Sequence, residues 1–322
     1  MANPLLSCTD LHVGFKLEDR FAEAVRGVTF SINEKETLGI VGESGCGKSM
    51  TALALMRLVP EPPGKICGGK ITFRDSDILS LTPNRIRAIR GRDISMIFQD
   101  PMTSLNPVYT CRYQIREVLL HHAIVAASKT DERIESILSE VGIPDPKRTA
   151  DSYPHQLSGG MRQRVMIAMA LVCNPALLIA DEPTTALDVT VQAKILDLLL
   201  ELQQKKGMSM LLITHNLGIV GDIAHRVMVM YAGVVMEYAP TAPLFATPLH
   251  PYTVNLLETL PGVDRRKERL TIIPGEVPTL SNIPQGCPFH PRCSRAMPKC
   301  GIDIPPLIDH SDDHHVRCFL YE

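Results

Sequence analysis

A glycine-rich loop in the first fifty residues ends in a lysine and a serine. Its residues are Gly42, Glu43, Ser44, Gly45, Cys46, Gly47, Lys48 and Ser49, followed by Met50. This spacing is the P-loop pattern, in which backbone N–H groups and the N-terminus of the next helix face phosphate oxygens. In such a loop the Lys48 ammonium reaches the β and γ phosphates of a nucleotide, and the Ser49 hydroxyl binds Mg²⁺. The alternative is a chance glycine-rich turn.

An acidic pair, Asp181 and Glu182, follows the apolar run at residues 176–180. A strand this apolar is expected to be covered on both faces of its sheet. In doubly wound sheets, ligands bind at the C-terminal ends of such strands. There Asp181 would hold Mg²⁺ through water, and Glu182 would polarise the water that attacks a phosphate. Alone, the pair is better explained as a helix cap or a solvated loop. Downstream of a P-loop, it favours nucleotide hydrolysis.

A P-loop needs a strand before it and a helix after it, and the sequence supplies both. Residues 36–41 predict a buried strand that runs into the loop, and a helix is expected from about 47 to 58. Further strands are predicted at 94–98 and 208–213. This alternation indicates an α/β fold with a largely parallel core sheet and argues against a chance turn.

Two segments depart from the alternation of strands and helices. Apolar residues three and four apart predict helices at 112–124, 130–141 and 159–173, so a helical subdomain of about residues 100–175 is expected inside the sheet domain.

Prolines recur after residue 240, and a single helix is predicted there, at 252–260. We therefore expect a nucleotide-binding domain over residues 1–240. A small, loop-rich, cysteine-containing domain is expected over residues 241–322.

Composition limits what this chain does unaided. It has 322 residues, of which 45% are hydrophobic and 21% charged, and its formal net charge is −2. No global positive charge draws it to nucleic acid, so no nucleic-acid partner is expected. The N-terminus does not resemble a secretory signal, and the apolar run at 165–173 is about half the length that crosses a bilayer. Any work at a membrane is therefore expected to involve a partner.

A third motif carries a resemblance to a known family. Residues 157–161, Leu-Ser-Gly-Gly-Met, resemble the signature motif of the ATP-binding-cassette (ABC) ATPases, a branch of the P-loop NTPases, with Met161 where glutamine is usual. Ser158, Gly159 and Gly160 would open a helix and offer a hydroxyl and N–H groups to a phosphate of ATP. An ordinary helix start would explain the pentapeptide alone, but not its position between a P-loop and an acidic pair.

The resemblance assigns roles to further residues. Gln99 matches the glutamine that contacts Mg²⁺ and water, and residues 186–188 match the D-loop. His215 matches the histidine that contacts the γ-phosphate, and Asn216 replaces the more usual aspartate with an equally good helix cap. Phe15 is our choice for the aromatic ring that stacks on adenine. Phe21 is the alternative, and either ring could instead belong to the core.

Residues 98–107, 180–190 and 250–253 resemble the importer branch that handles dipeptides, oligopeptides and, in some members, nickel, and most closely the first ATPase subunit of the dipeptide importer. The resemblance implies a heterodimer with a second, non-identical ATPase, two transmembrane permeases and an external solute-binding protein. It implies a location at the cytoplasmic face of the inner membrane. The segment from Met102 to Tyr109 is expected to build part of a groove for a permease helix, unless Leu105 packs inside its own domain. The rival class is the soluble cassette ATPases of translation or DNA repair. These usually have two cassettes per chain or long coiled-coil insertions, together with basic surfaces, and this sequence indicates none of these features.

Four of the nine cysteines lie near the C-terminus, at Cys287, Cys293, Cys300 and Cys318. Their surroundings are rich in proline and poor in apolar residues, so a four-thiolate metal centre is expected to order them. Spacing alone leaves open an iron–sulfur cluster, a zinc site completed by nearby histidines, or four free thiols. The resemblance of residues 286–293 to the cluster-bearing tail of dipeptide-importer ATPases favours a structural 4Fe–4S cluster.

Overall fold

The computed structural model describes residues 4–18, 20–99, 104–185, 187–259, 273–311 and 313–322. The chain divides into two compact units. The first unit comprises Met1–Asn33, Thr37–Ser80 and Leu212–Glu322, and the second comprises Glu34–Glu36 and Leu81–Leu211.

The strands are short, apart from three at the N-terminal end of the chain. They are β1 (Leu6–Lys16), β2 (Phe21–Ile32), β3 (Thr37–Val41), β4 (Gly64–Phe73), β5 (Ser76–Asp77), β6 (Ile94–Ile97), β7 (Leu177–Asp181), β8 (Ser209–Ile213), β9 (Arg226–Tyr231), β10 (Val234–Pro240), β11 (Ile308–Ser311) and β12 (His314–Val316). The described α-helices are α1 (Lys48–Leu55), α2 (Pro83–Ile89), α3 (Cys111–His121), α4 (Thr130–Glu140), α5 (Pro146–Ala150), α6 (Gly159–Leu171), α7 (Val189–Lys206), α8 (Leu217–Ile223), α9 (Thr241–Ala246) and α10 (Pro251–Glu258).

The first unit contains an antiparallel sheet that the sequence did not predict. Its strand order is β2-β1-β4-β5. The pairing sets Leu6 opposite Ile32 on one side and Phe73 on the other, and all three side chains are buried. The paired apolar residues form a core for this sheet.

A second sheet of the first unit carries the P-loop. All five residues of β3 are buried, and β3 runs parallel to β9. A tight turn at Ala232 and Gly233, both with positive φ, reverses the chain into β10. The C-terminal strands β12 and β11 then add to β10 as an antiparallel extension.

The second unit contains the predicted helices. Strands β6 and β7 are parallel, as expected, and helices α3 to α6 pack on one another beside them. Their buried faces hold Ile115, Leu119, Ile134, Ile137 and Val165. None of the helices in the described ranges is both long and apolar enough to span a membrane.

Candidate nucleotide site

The loop between β3 and α1 has the conformation that a phosphate-binding loop requires. The backbone φ angles of Gly42, Gly45 and Gly47 are 151°, 79° and 101°, values that residues with a side chain rarely adopt. A Cβ at Gly42 would lie 2.2 Å from the Met230 carbonyl oxygen, and one at Gly47 would lie 2.6 Å from that of Ala24. The glycines therefore let the loop fold tightly against neighbouring backbone while Ser44 and Gly45 remain exposed.

Lys48 lies at the N-terminus of α1 and folds back over the loop. Its ammonium donates to the carbonyl oxygens of Gly42 (2.7 Å) and Glu43 (3.1 Å), and the residue is 5% exposed. A buried cation beside a helix N-terminus attracts an anion at this point. Ser49 is the next residue of α1. Burial raises the pKa of the Cys46 thiol, which lies beside Lys48, so this thiol stays protonated.

The C-terminal region reaches the loop through Glu43. The Arg292 guanidinium binds both carboxylate oxygens of Glu43, at 2.6 and 3.0 Å, and donates to the Tyr231 hydroxyl at 3.2 Å. Burial disfavours its charge, but the bonds to Glu43 and Tyr231 outweigh burial and raise the pKa of Arg292. The Glu43 N–H donates to the Tyr252 hydroxyl at 3.0 Å. Sequence reasoning missed this clamp.

Phe15 lies on β1 and lines a cavity of about 260 Å³ beside the loop. Gly45 and Met50 line the same cavity. Phe21, the alternative, is half exposed, and its ring stands where a Cβ at Gly14 would lie. Phe15, not Phe21, therefore shares a cavity with the P-loop.

The acidic pair stands at the end of β7 in the second unit. Asp181 is the last strand residue and is 4% exposed. Glu182 has φ 44°, an uncommon conformation for this residue type. Its carboxylate accepts from the Gln99 side-chain amide at 3.0 Å and the Thr185 hydroxyl at 2.9 Å. The structure thus joins two of the predicted residues, Gln99 and Glu182, in one hydrogen-bonded set.

The signature residues open α6, as predicted. Ser158 is the helix cap, and its hydroxyl accepts from the Met161 N–H at 3.3 Å. Ser158 and Gly159 are exposed, so the N-terminal end of a 13-residue helix faces solvent. Further along α6, the buried Gln163 side chain donates to the Pro183 carbonyl oxygen, one residue after Glu182. This bond ties the signature helix to the loop that carries the acidic pair.

The remaining motif residues cap helices or flank them. Asp188 caps α7 by accepting from the Val191 N–H at 2.9 Å, and Ala186 lies outside the described residues. His215 is exposed between β8 and α8, and Asn216 caps α8 by accepting from two N–H groups, as predicted. The P-loop, Phe15 and His215 belong to the first unit, and the other motifs to the second.

The predicted iron–sulfur cluster is wrong. Among the residues that the structure describes, no three or more His, Cys, Asp or Glu side chains are grouped to hold a metal ion, which also removes the zinc alternative. Cys287, Cys293, Cys300 and Cys318 are free cysteines. Burial raises the pKa of Cys287 to about 11 and also raises those of Cys293 and Cys318.

The expectation overlooked the packing of the C-terminal region. Phe289 is fully buried, with ring centroids 5.3 Å from Tyr231 and 5.2 Å from Tyr252. These packed rings and the Arg292–Glu43 ion pair supply the order for which a metal centre was invoked.

Comparison with known proteins decides the family. Residues 25–185 match the ABC transporter family, and residues 236–300 match the C-terminal region of oligopeptide/dipeptide transporters. This chain belongs to the ABC transporter family. It is an ATPase of that family, with the α/β P-loop fold.

Relatives align along nearly the whole chain. The oligopeptide transport ATP-binding protein AppD of Bacillus subtilis (strain 168) is 51% identical over 99% of this chain and 97% of its own length. The dipeptide transport ATP-binding protein DppD of the same organism is 49% identical over 99% of this chain and 95% of its own. The dimeric post-hydrolysis structure of the ATP-binding cassette MJ0796 bound to ADP and Pi has a TM-score of 0.65 at 26% identity and covers 73% of this chain and 98% of that one.

Proposed function

We propose that this ABC ATPase powers a membrane importer of dipeptides or oligopeptides. The observation that carries the proposal is the match of residues 236–300 to the oligopeptide/dipeptide transporter C-terminal region, joined to a complete set of cassette motifs. Importers of nickel or another small solute are the alternative within the family. The choice of solute would lie in partner chains.

Hydrolysis would use the residues of the cassette motifs. Lys48 and the loop N–H groups bind the phosphates of ATP, Phe15 stacks on adenine, and His215 contacts the γ-phosphate. The Gln99 amide and the Thr185 hydroxyl hold the Glu182 carboxylate, so Glu182 is oriented to polarise the attacking water. The bound water loses its proton toward this carboxylate as it attacks.

By family resemblance, three oxygen donors would hold the Mg²⁺ that accompanies ATP. The Ser49 hydroxyl, the Gln99 side-chain oxygen and the Asp181 carboxylate are the hard ligands this ion prefers. Since the Gln99 side-chain nitrogen donates to Glu182, the amide oxygen of Gln99 would be the atom available to bind the ion. When bound, Mg²⁺ would neutralise charge on the β and γ phosphates.

A second cassette would complete the site. The exposed N-terminal end of α6, with Ser158, Gly159 and Gly160, presents a hydroxyl and N–H groups outward, as a head-to-tail partner would need. By family resemblance the partner is a non-identical ATPase. Two permeases and an external solute-binding protein complete the complex, which works at the cytoplasmic face of the inner membrane.

Permease contact would involve exposed apolar side chains of the second unit. Val108 is 69% exposed, and Tyr109 and Tyr113 stack with centroids 4.4 Å apart while both remain exposed. Leu105, which the sequence analysis placed in this groove, is 2% exposed and is therefore not available to a permease helix. Residues 100–103 lie outside the described residues.

Uptake in cells tests the proposal. Deletion of the gene should reduce uptake of labelled dipeptides or oligopeptides, and plasmid-borne wild-type chain should restore it. Lys48→Ala should fail to restore uptake at equal protein level. Unchanged uptake of both peptide classes in the deletion strain would contradict peptide import, and loss of nickel uptake instead would favour the alternative. Copurification with ribosomes or DNA, rather than with two permeases, would favour the rival class.

A further inference from the structure

The cavity beside the P-loop has walls from two distant parts of the chain. One wall is formed by Phe15 of β1 with Gly45 and Met50 of the loop and α1. The other comes from the C-terminal region, through Pro278, Leu280 and Ile283. Ala24, Glu23 and Ala232 complete the lining.

The size and lining of the cavity suit a nucleobase. Its volume of about 260 Å³ is slightly below the roughly 300–1,000 Å³ of sites that enclose a whole drug-sized ligand, as expected for a pocket that takes only one end of a nucleotide. Most of the lining is apolar, and a single carboxylate, Glu23, provides a hydrogen-bond acceptor. A planar, largely apolar ring with an exocyclic amino group matches this environment.

We propose that the segment Pro278–Ile283 forms part of the adenine pocket, so that the C-terminal region determines affinity for the base of ATP. This inference rests on the proposed nucleotide site and extends it to residues that belong to no cassette motif. Pro278, Leu280 and Ile283 are half-buried, which leaves apolar surface in the cavity for a ligand to cover.

Two arginines fix this segment against the nucleotide loop and the first strands. Arg292 donates through Nε to the Pro274 carbonyl oxygen (2.9 Å) and through Nη2 to that of Ile273 (3.4 Å), while Nη1 and Nη2 hold the Glu43 carboxylate of the P-loop. Arg20, between β1 and β2, donates to the Ser281 carbonyl oxygen. The segment is thus anchored before and within its cavity-lining part. The Arg292 and Arg20 side chains therefore hold this segment in position relative to Gly45 and Phe15.

Separate measurements of base and phosphate binding test the proposal. In the full-length chain, Leu280→Ala combined with Ile283→Ala should weaken ATP and ADP binding about tenfold, because apolar contact with the base is lost. Binding of inorganic tripolyphosphate, which has no base, should change less than about twofold, since the P-loop is untouched. Calorimetry measures all three ligands.

Matched variants keep the outcome interpretable. Ile302→Ala with Ile304→Ala removes two exposed aliphatic side chains from the same region outside the cavity and should leave ATP affinity unchanged. Leu280→Met, which keeps apolar contact, should retain most of the affinity. Unchanged ATP affinity in the Leu280/Ile283 variant, or an equal loss for tripolyphosphate, would overturn the inference. Lys48→Ala, which should weaken all three ligands, separates this failure from a failure of the nucleotide site itself.

Discussion

The side-chain amide of Gln99 donates to the carboxylate of Glu182 across 3.0 Å, and Thr185 donates to the same oxygen. Two donors on one carboxylate oxygen fix the orientation of the Glu182 side chain. Gln99, which follows β6, and Thr185, which follows β7, thereby both bind the Glu182 carboxylate. Parallel strands side by side produce this arrangement because their C-terminal ends share an edge.

Glu182→Gln should abolish turnover but keep ATP binding. The amide cannot accept the proton, so hydrolysis should fall on the order of a hundredfold or more. Steady-state phosphate release and ATP binding are measured in the assembled complex, with the partner cassette's own site inactivated. Thr185→Val, which removes one donor and keeps the carboxylate, should cause a smaller loss. Turnover at the wild-type rate in Glu182→Gln would remove Glu182 from the role of water-polarising group.

Charge at Val108 and charge at Leu105 should have different consequences. Val108→Asp places a carboxylate on an exposed side chain, so the chain should fold and hydrolyse ATP but fail to transport in the assembled importer. Leu105→Asp buries an unpaired charge and should destabilise the second unit by several kcal/mol. Thermal unfolding, ATPase rate and transport in proteoliposomes distinguish the two. Transport at the wild-type level by Val108→Asp would place the docking surface elsewhere.

Local patterns predicted the elements that hold the nucleotide motifs. The strand expected at 36–41 is Thr37–Val41, and the helix expected at 159–173 is Gly159–Leu171. The strand is a short run of apolar residues, and the helix has apolar residues three and four apart, so the burial pattern alone indicates which is a strand and which is a helix. A strand, a glycine turn and a lysine at fixed spacing also define the P-loop without reference to distant residues.

The antiparallel sheet of the first unit was missed for a physical reason. Strand β1 pairs with β2 through register shifts between Cys8 and Leu11 and again after Val13. Each shift breaks the alternation of apolar and polar residues that marks a strand in sequence. The Arg292–Glu43 pair left no local signal either, because its members are 249 residues apart. Without it, the C-terminal region was expected to need a metal.

Arg292→Met should destabilise the chain far more than loss of an exposed ion pair. Its guanidinium is buried and holds Glu43, so removal leaves a partly buried carboxylate unpaired at a cost of about 3 kcal/mol. Lys299→Met is the matched control, since Lys299 pairs with Glu322 at the surface and should matter by less than about 1 kcal/mol. Urea unfolding at neutral pH measures both. Equal effects would show that the Arg292 pair contributes no more than a surface pair.

His250 should make the chain less stable in mild acid. The residue is buried. Its ring Nδ1 accepts from the Tyr252 N–H at 2.9 Å, and its backbone N–H donates to the Glu237 carboxylate at 2.9 Å. Burial lowers the pKa of His250 from 6.5 to about 4, although Glu237 opposes the shift.

Between these two pKa values the unfolded chain binds a proton that the folded chain does not, so stability falls as pH drops from 6.5 to 4, by an amount on the order of 2 kcal/mol. His250→Asn replaces the capping nitrogen Nδ1 with an amide oxygen that can accept the same hydrogen bond and does not titrate, so the free energy of unfolding of this variant should fall less over this window. Urea unfolding of both proteins at pH 7.5, 6.0 and about 4.5 measures the difference, which cancels the acid response of carboxylates common to the two. Parallel curves for wild type and variant would mean that His250 does not remain neutral in the folded chain.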